Sequence, residues 1–133
     1  MTTWATQIGA ITLFVEDPAA SAEFYQRVFE LEPKFGDENG TAFMLGEQYF
    51  FLTAAKSAPD MIAPLTAGEP GHGPRHVFAI IVPDVDAVGA DLRAKGVTLI
   101  NGPEDRSWGM RTLNFADPDG YVWEIATEMA AAH

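Results

Sequence analysis

The 133-residue chain carries 19 acidic against 8 basic residues, a formal charge of −11, and no cysteine. That charge repels phosphate backbones and anionic membranes and attracts cationic solutes, so neither a nucleic acid nor a membrane is an expected partner. The missing cysteine removes disulfides, thiolate metal sites and cysteine nucleophiles from consideration. Met1 to Ala10 has neither basic residues nor a long apolar run, and no segment approaches the roughly 20 apolar residues that span a bilayer, so a cytoplasmic protein is expected.

Ile8 to Val15 alternates as a first strand, with Gly9, Ile11, Leu13 and Val15 on one face and Ile8, Ala10, Thr12 and Phe14 on the other. The more aliphatic face is expected to meet the helices. Asp17 suits a helix N-cap and Pro18 the first helical position, after which Ser21, Phe24, Tyr25, Val28 and Phe29 recur at helical spacing. Lys34-Phe35 then leads to two runs, Thr41 to Leu45 and Gln48 to Thr53, joined as a hairpin through Gly46-Glu47. Ala55 to Pro74 is rich in proline and glycine, shows no sustained periodicity, and reads as a linker that either folds as a lid or packs on the module surface.

The same order returns in the second half, where Asp84 stands 67 residues after Asp17. His76 to Val82 is a strand, Asp84 caps a helix carrying Val85, Val88 and Leu92, and Lys95-Gly96 ends it. Val97 to Ile100 is the next strand, Gly102-Pro103 turns the chain, and Asp105 to Gly109 leads into Met110 to Ala116. Asp117-Pro118-Asp119-Gly120 is a tight turn before a closing strand, Tyr121 to Thr127. Tyr121, Trp123 and Ile125 take the core side of that strand, which leaves Glu124 on the opposite face with Val122 and Ala126. The chain is therefore read as α+β, a single domain over 1–133 made of two βαβββ modules, about 5–54 and 75–128, around a linker at 55–74. A fold made of two related halves has a seam, and seams hold ligands.

In this order, Val15-Glu16-Asp17 with Phe24-Tyr25, then Val82 to Ala87, then Trp108-Gly109-Met110-Arg111 with Phe115 and Asp117 to Ile125, the chain resembles the vicinal oxygen chelate superfamily. That superfamily groups glyoxalase I, extradiol dioxygenases, and fosfomycin and bleomycin resistance proteins. The resemblance implies eight strands curled into a cup-shaped mixed sheet, commonly completed by a second subunit, so a homodimer is expected. In the metal-dependent members a His or Gln on the first strand of each module and a Glu on the last strand hold one divalent ion. Glu124 matches the last-strand Glu, whereas the first-strand positions fall on Ala10 and Val77, and alignment of Tyr49 with Tyr121 puts the other last-strand position at Leu52. His76 joins the set only if a β-bulge rotates it inward. Two ligands would hold a transition metal weakly.

No metal or other cofactor is therefore expected, with Glu124, and His76 after such a rotation, as the only donors to a nickel, zinc, manganese or iron ion under the alternative. Phe14, Phe50, Leu52, Val77, Ala79 and Ile81 are expected to line the cup, with Glu124 as its single charge, a pattern that suits a cationic or aromatic small organic ligand. Trp108 borders the cleft by resemblance, or else plugs the cup or a subunit contact. Arg111, counted among the ligand-binding residues, or Arg75 is the alternative salt-bridge partner of Glu124. The reading is a metal-independent binder resembling the bleomycin resistance branch. The alternatives are a metal-dependent glyoxalase I-like lyase or dioxygenase, and a metal-free isomerase or lyase with Glu124 as catalytic base.

Overall fold

Asp17 and Asp84 do the same local work in the two halves of the chain. The Asp17 carboxylate accepts from the N–H groups of Ala19 and Ala20 at 3.1 and 3.2 Å, and that of Asp84 accepts from Ala87 at 3.1 Å. Each satisfies donors that a helix N-terminus leaves open. The helices that follow are α1, Pro18–Phe29, and α3, Val85–Ala94.

The computed structural model describes residues 4–130, and the chain divides into two compact units, one ending at Gly68 and the other beginning at Glu69. The first contains β1, Ala10–Val15, then α1, then β2, Phe35–Asp37, β3, Gly40–Leu45, and β4, Gln48–Ala54. Its sheet runs β1-β4-β3-β2, with β1 parallel to β4 and the other pairs antiparallel. The second contains β5, Phe78–Ile81, then α3, then β6, Leu99–Asp105, β7, Met110–Ala116, and β8, Val122–Glu128. Its sheet runs β5-β8-β7-β6, with β5 parallel to β8. The eight expected strands are thus present, as two four-stranded mixed sheets of the expected α+β class.

In the first unit the core is aromatic. Tyr25 on α1 is fully buried, and its ring lies 5.2 Å from those of Phe24, Phe29 and Phe50 and 6.3 Å from that of Phe43. Edge-on packing of this kind adds to the burial of the rings themselves. Leu13, Val15 and Leu52 share that buried face, as the alternation of β1 requires. Strand β1 starts at Ala10 and not at Ile8, because its partner β4 begins just after the Gly46-Glu47 turn and leaves Ile8 exposed with nothing to pair with.

Further boundaries also differ from those the sequence suggests. Within 55–74 the chain forms a 3₁₀ turn, Ala55–Ser57, and a short helix, α2, Ala58–Ile62, anchored by the fully buried Ala58. Strand β5 begins at Phe78 and not His76, because the Val122 N–H is taken by the His76 side chain. Gly102-Pro103 does not turn the chain. It lies inside β6, where the register to β7 shifts between Leu99 and Asn101 and again between Asn101 and Glu104. Gly102 has a positive φ of 81°, and a Cβ there would run into the Thr112 carbonyl oxygen, so only glycine lets β6 bulge this close to β7. Proline is tolerated at such a bulge because no ladder N–H is needed from it. Among the described residues no helix is long and apolar enough to cross a membrane.

Candidate functional site

The face of the second sheet turned away from α3 carries the polar chemistry. Glu124 on β8 has Ala79 of β5 as its neighbour on one side and Asn114 of β7 on the other. Asn114 in turn stands opposite Asn101 of β6. One row across four strands therefore reads Ala79, Glu124, Asn114, Asn101. The local cause is the turn before β8. Asp117, nearly buried, accepts the N–H groups of Asp119 and Tyr121 at 2.9 Å each through one carboxylate oxygen, and Gly120 with φ 88° closes it. This fixes the β7–β8 register and so sets Glu124 beside Asn114.

Side-chain hydrogen bonds extend the row. Asn114 Nδ2 donates to Asn101 Oδ1 at 3.0 Å, and Arg106 donates to the same oxygen at 3.1 Å. Arg106 Nε also donates to the buried Thr112 hydroxyl at 2.8 Å, and its remaining nitrogen pairs with Glu104 at 2.7 Å. The guanidinium stands 5.8 Å from the Trp108 ring, within cation–π range, and Trp108 is 65% exposed in the turn between β6 and β7. The charge of Arg106 is thus balanced locally by Glu104. The half-buried Glu124 carboxylate has no hydrogen bond or ion pair among the described residues. Val77, Ala79 and Ile81 share its face by strand alternation, and all three are exposed.

Several expected site residues lie elsewhere. Phe50 and Leu52 are not on the open face of the first sheet. They pair with Ile11 and Leu13 and are buried against α1, because paired residues of neighbouring strands share a face. The first-module counterpart of Glu124 is accordingly Phe51 and not Leu52: Thr12 pairs Phe51 as Ala79 pairs Glu124. Phe14 does lie on the face turned from α1, with Thr12, Tyr49 and Phe51. There Phe51 is ringed by Tyr49 at 6.1 Å and Phe35 at 5.9 Å, beside a hollow of about 270 Å³ that Phe35, Ala42 and Phe51 help to line.

Arg111 is on the α3 side of its sheet, sharing parity with the buried Leu113 and Phe115. It makes a two-pronged contact to Asp86 at 2.9 and 3.0 Å and reaches Asp105 at 3.0 Å. Hydrogen bonding from Arg111 holds the Asp86 carboxyl below its ordinary value, and the two carboxylates hold the Arg111 guanidinium more firmly protonated. Neither Arg111 nor Arg75 pairs with Glu124. His76 also faces the α3 side, with its ring against Phe78 and Tyr121 at 4.5 and 5.2 Å. Its Nε2 accepts the Val122 N–H at 3.3 Å, so that nitrogen's lone pair is in use.

The donor set does not fit the divalent ion held by metal-dependent relatives. The four equivalent positions are Ala10, Phe51, Val77 and Glu124, which offer one oxygen ligand between them. Among the described residues no three His, Asp or Glu side chains converge. Asn114, Asn101 and Arg106 escaped the sequence reading. Asn114 was accessible in principle, since counting back across the Asp117 turn from Glu124 reaches it. Asn101 was not, because the two register shifts in β6 leave no signal in the residue spacing.

Residues 7–125 match the family described as the Glyoxalase/Bleomycin resistance protein/Dioxygenase superfamily. The chain belongs to that superfamily. Among solved structures it is similar to a glyoxalase/bleomycin resistance protein/dioxygenase from Nocardioides, with a TM-score of 0.87 and 21% identity over 98% of this chain and 89% of that one. It is also similar to a lactoylglutathione lyase from Agrobacterium tumefaciens, TM-score 0.75 and 21% identity over 94% and 96% of the two chains. A glyoxalase-related enzyme from Fulvimarina pelagi aligns with a TM-score of 0.79 and 26% identity over 92% and 88%.

Proposed function

We propose that the protein is a metal-independent, cytoplasmic binder of a small organic cation, aromatic in part, in the manner of the bleomycin resistance branch of its superfamily. The observation that carries this is the Glu124 carboxylate, unpaired among the described residues and flanked by the exposed apolar side chains of Val77, Ala79 and Ile81. A carboxylate beside apolar surface attracts a cation that brings its own apolar body, because contact removes water from both at once. Trp108, held near Arg106, supplies an exposed aromatic surface on the same unit. Catalysis through a bound metal has little support, since three of the four ligand positions hold Ala10, Phe51 and Val77.

Titration of the intrinsic tryptophan fluorescence with a panel of cationic aromatic amines tests the reading. Saturable change is expected in the wild type, with affinity lowered about tenfold or more in Glu124→Gln, the scale of one lost charge-assisted contact. Emission unchanged across the panel, or equal affinity in Glu124→Gln, contradicts it. The same free carboxylate supports a second reading, a metal-free isomerase or lyase with Glu124 as base. Product formation from a bound ligand that ceases in Glu124→Gln distinguishes it from sequestration.

A further inference from the structure

The proposed cation site has more structure than one carboxylate. Arginine has donors only, so the hydrogen bond from Arg106 identifies the Asn101 atom it reaches as the carbonyl oxygen. That oxygen has two lone pairs, and the second is filled by Asn114. The Asn114 atom facing Asn101 must therefore be its NH₂ group. Its own carbonyl oxygen is turned from β6 and has no donor among the described residues, on the strand that borders Glu124. Arg106 itself is held by Thr112 and Glu104, so it cannot swing round and satisfy the free acceptors.

The result is two adjacent side chains, Glu124 and Asn114, each with an acceptor oxygen that no donor among the described residues fills. Side chains directly opposite on antiparallel strands have Cβ atoms about 5 Å apart. Resting on the binding reading above, we infer that the site selects a ligand group with at least two N–H donors on one cation: an amidinium, a guanidinium or a primary ammonium. A quaternary ammonium carries the same charge but has no hydrogen to give, and would leave the Asn114 oxygen desolvated and unpaired. Arg106 is a positioning residue in this scheme. It touches no ligand, and acts by fixing which way Asn101, and through it Asn114, presents its amide.

The test compares benzamidine, benzylamine and benzyltrimethylammonium by two-dimensional NMR titration of the full-length protein, following backbone and asparagine side-chain amides. Benzamidine and benzylamine are expected to bind about tenfold or more tightly than benzyltrimethylammonium, as one acceptor covered by the ligand and left unpaired implies. Asn114→Leu should reduce that preference toward unity while the quaternary probe binds as before. Arg106→Met should lower the preference as well, with the Asn114 side-chain amide signals shifted in the free protein, and a folded spectrum guards against simple loss of structure. Equal binding of all three cations, with Asn114→Leu without effect, overturns the inference and leaves cation binding at Glu124 standing. Failure of every cationic probe to bind overturns both.

Discussion

At the scale of single residues, two positions outside the site have well-defined physical roles. Gly102 combines a positive φ with a backbone approach that leaves no room for a Cβ. Gly102→Ala is expected to destabilise the protein by about 2 kcal/mol or more, read from urea unfolding, and a variant within about 0.5 kcal/mol of wild type would contradict the tight bulge. Arg111 makes a different, pH-dependent contribution. Asp86 has its pKa lowered by Arg111, so the associated stability is present above the ordinary carboxylate pKa of about 3.9 and is lost as pH falls through the lowered value. The melting temperatures of wild type and Arg111→Gln should therefore differ at neutral pH and converge in acid below about pH 4. Because both partners are solvent-accessible, added salt should also narrow the gap, and a gap that persists unchanged in acid would contradict the assignment.

At the scale of elements, the strands and helices follow from patterns visible along the chain. The aspartate caps, the alternation of β1 and the turn at Asp117 each rest on neighbours within a few residues, and each appears in the structure. What the sequence hid depends on which residues stand side by side across strands. Aligning Tyr49 with Tyr121 made Leu52 the equivalent of Glu124, whereas the parallel β1–β4 register makes Phe51 the counterpart and sends Phe50 and Leu52 into the core. A one-residue slip exchanges the two faces of a strand, and nothing in the composition of the aromatic run from Tyr49 to Phe51 signals it. The bulges of β6 hid Asn101 in the same way. Phe50→Ala separates the two placements. It is expected to cost about 3–5 kcal/mol in denaturant, as for a truncated core ring, while ligand affinity measured on the folded fraction stays at the wild-type value. A mild effect on stability with a large loss of binding would return Phe50 to the ligand face.

At the scale of the whole molecule, net charge and assembly frame how the site is used. With a formal charge of −11, the protein concentrates cations around itself, so raising ionic strength should slow association with a cationic ligand more than it speeds release. A second subunit is proposed from the family resemblance, and light scattering is then expected to return twice the 14.4 kDa chain mass. The single-chain mass contradicts that proposal without touching the site on the second sheet.

Glu124 is proposed to act on an organic cation directly and to hold no metal. The melting temperature of chelator-stripped protein, taken with excess nickel, zinc, manganese or iron(II) and separately with a cationic aromatic amine, tests it most directly. A ligand at about a hundred times its dissociation constant adds roughly 2.7 kcal/mol to native stability. The account predicts no rise with any of the metals and a rise with the amine that disappears in Glu124→Gln. A rise with a metal that vanishes in Glu124→Ala would contradict it and make Glu124 a metal ligand.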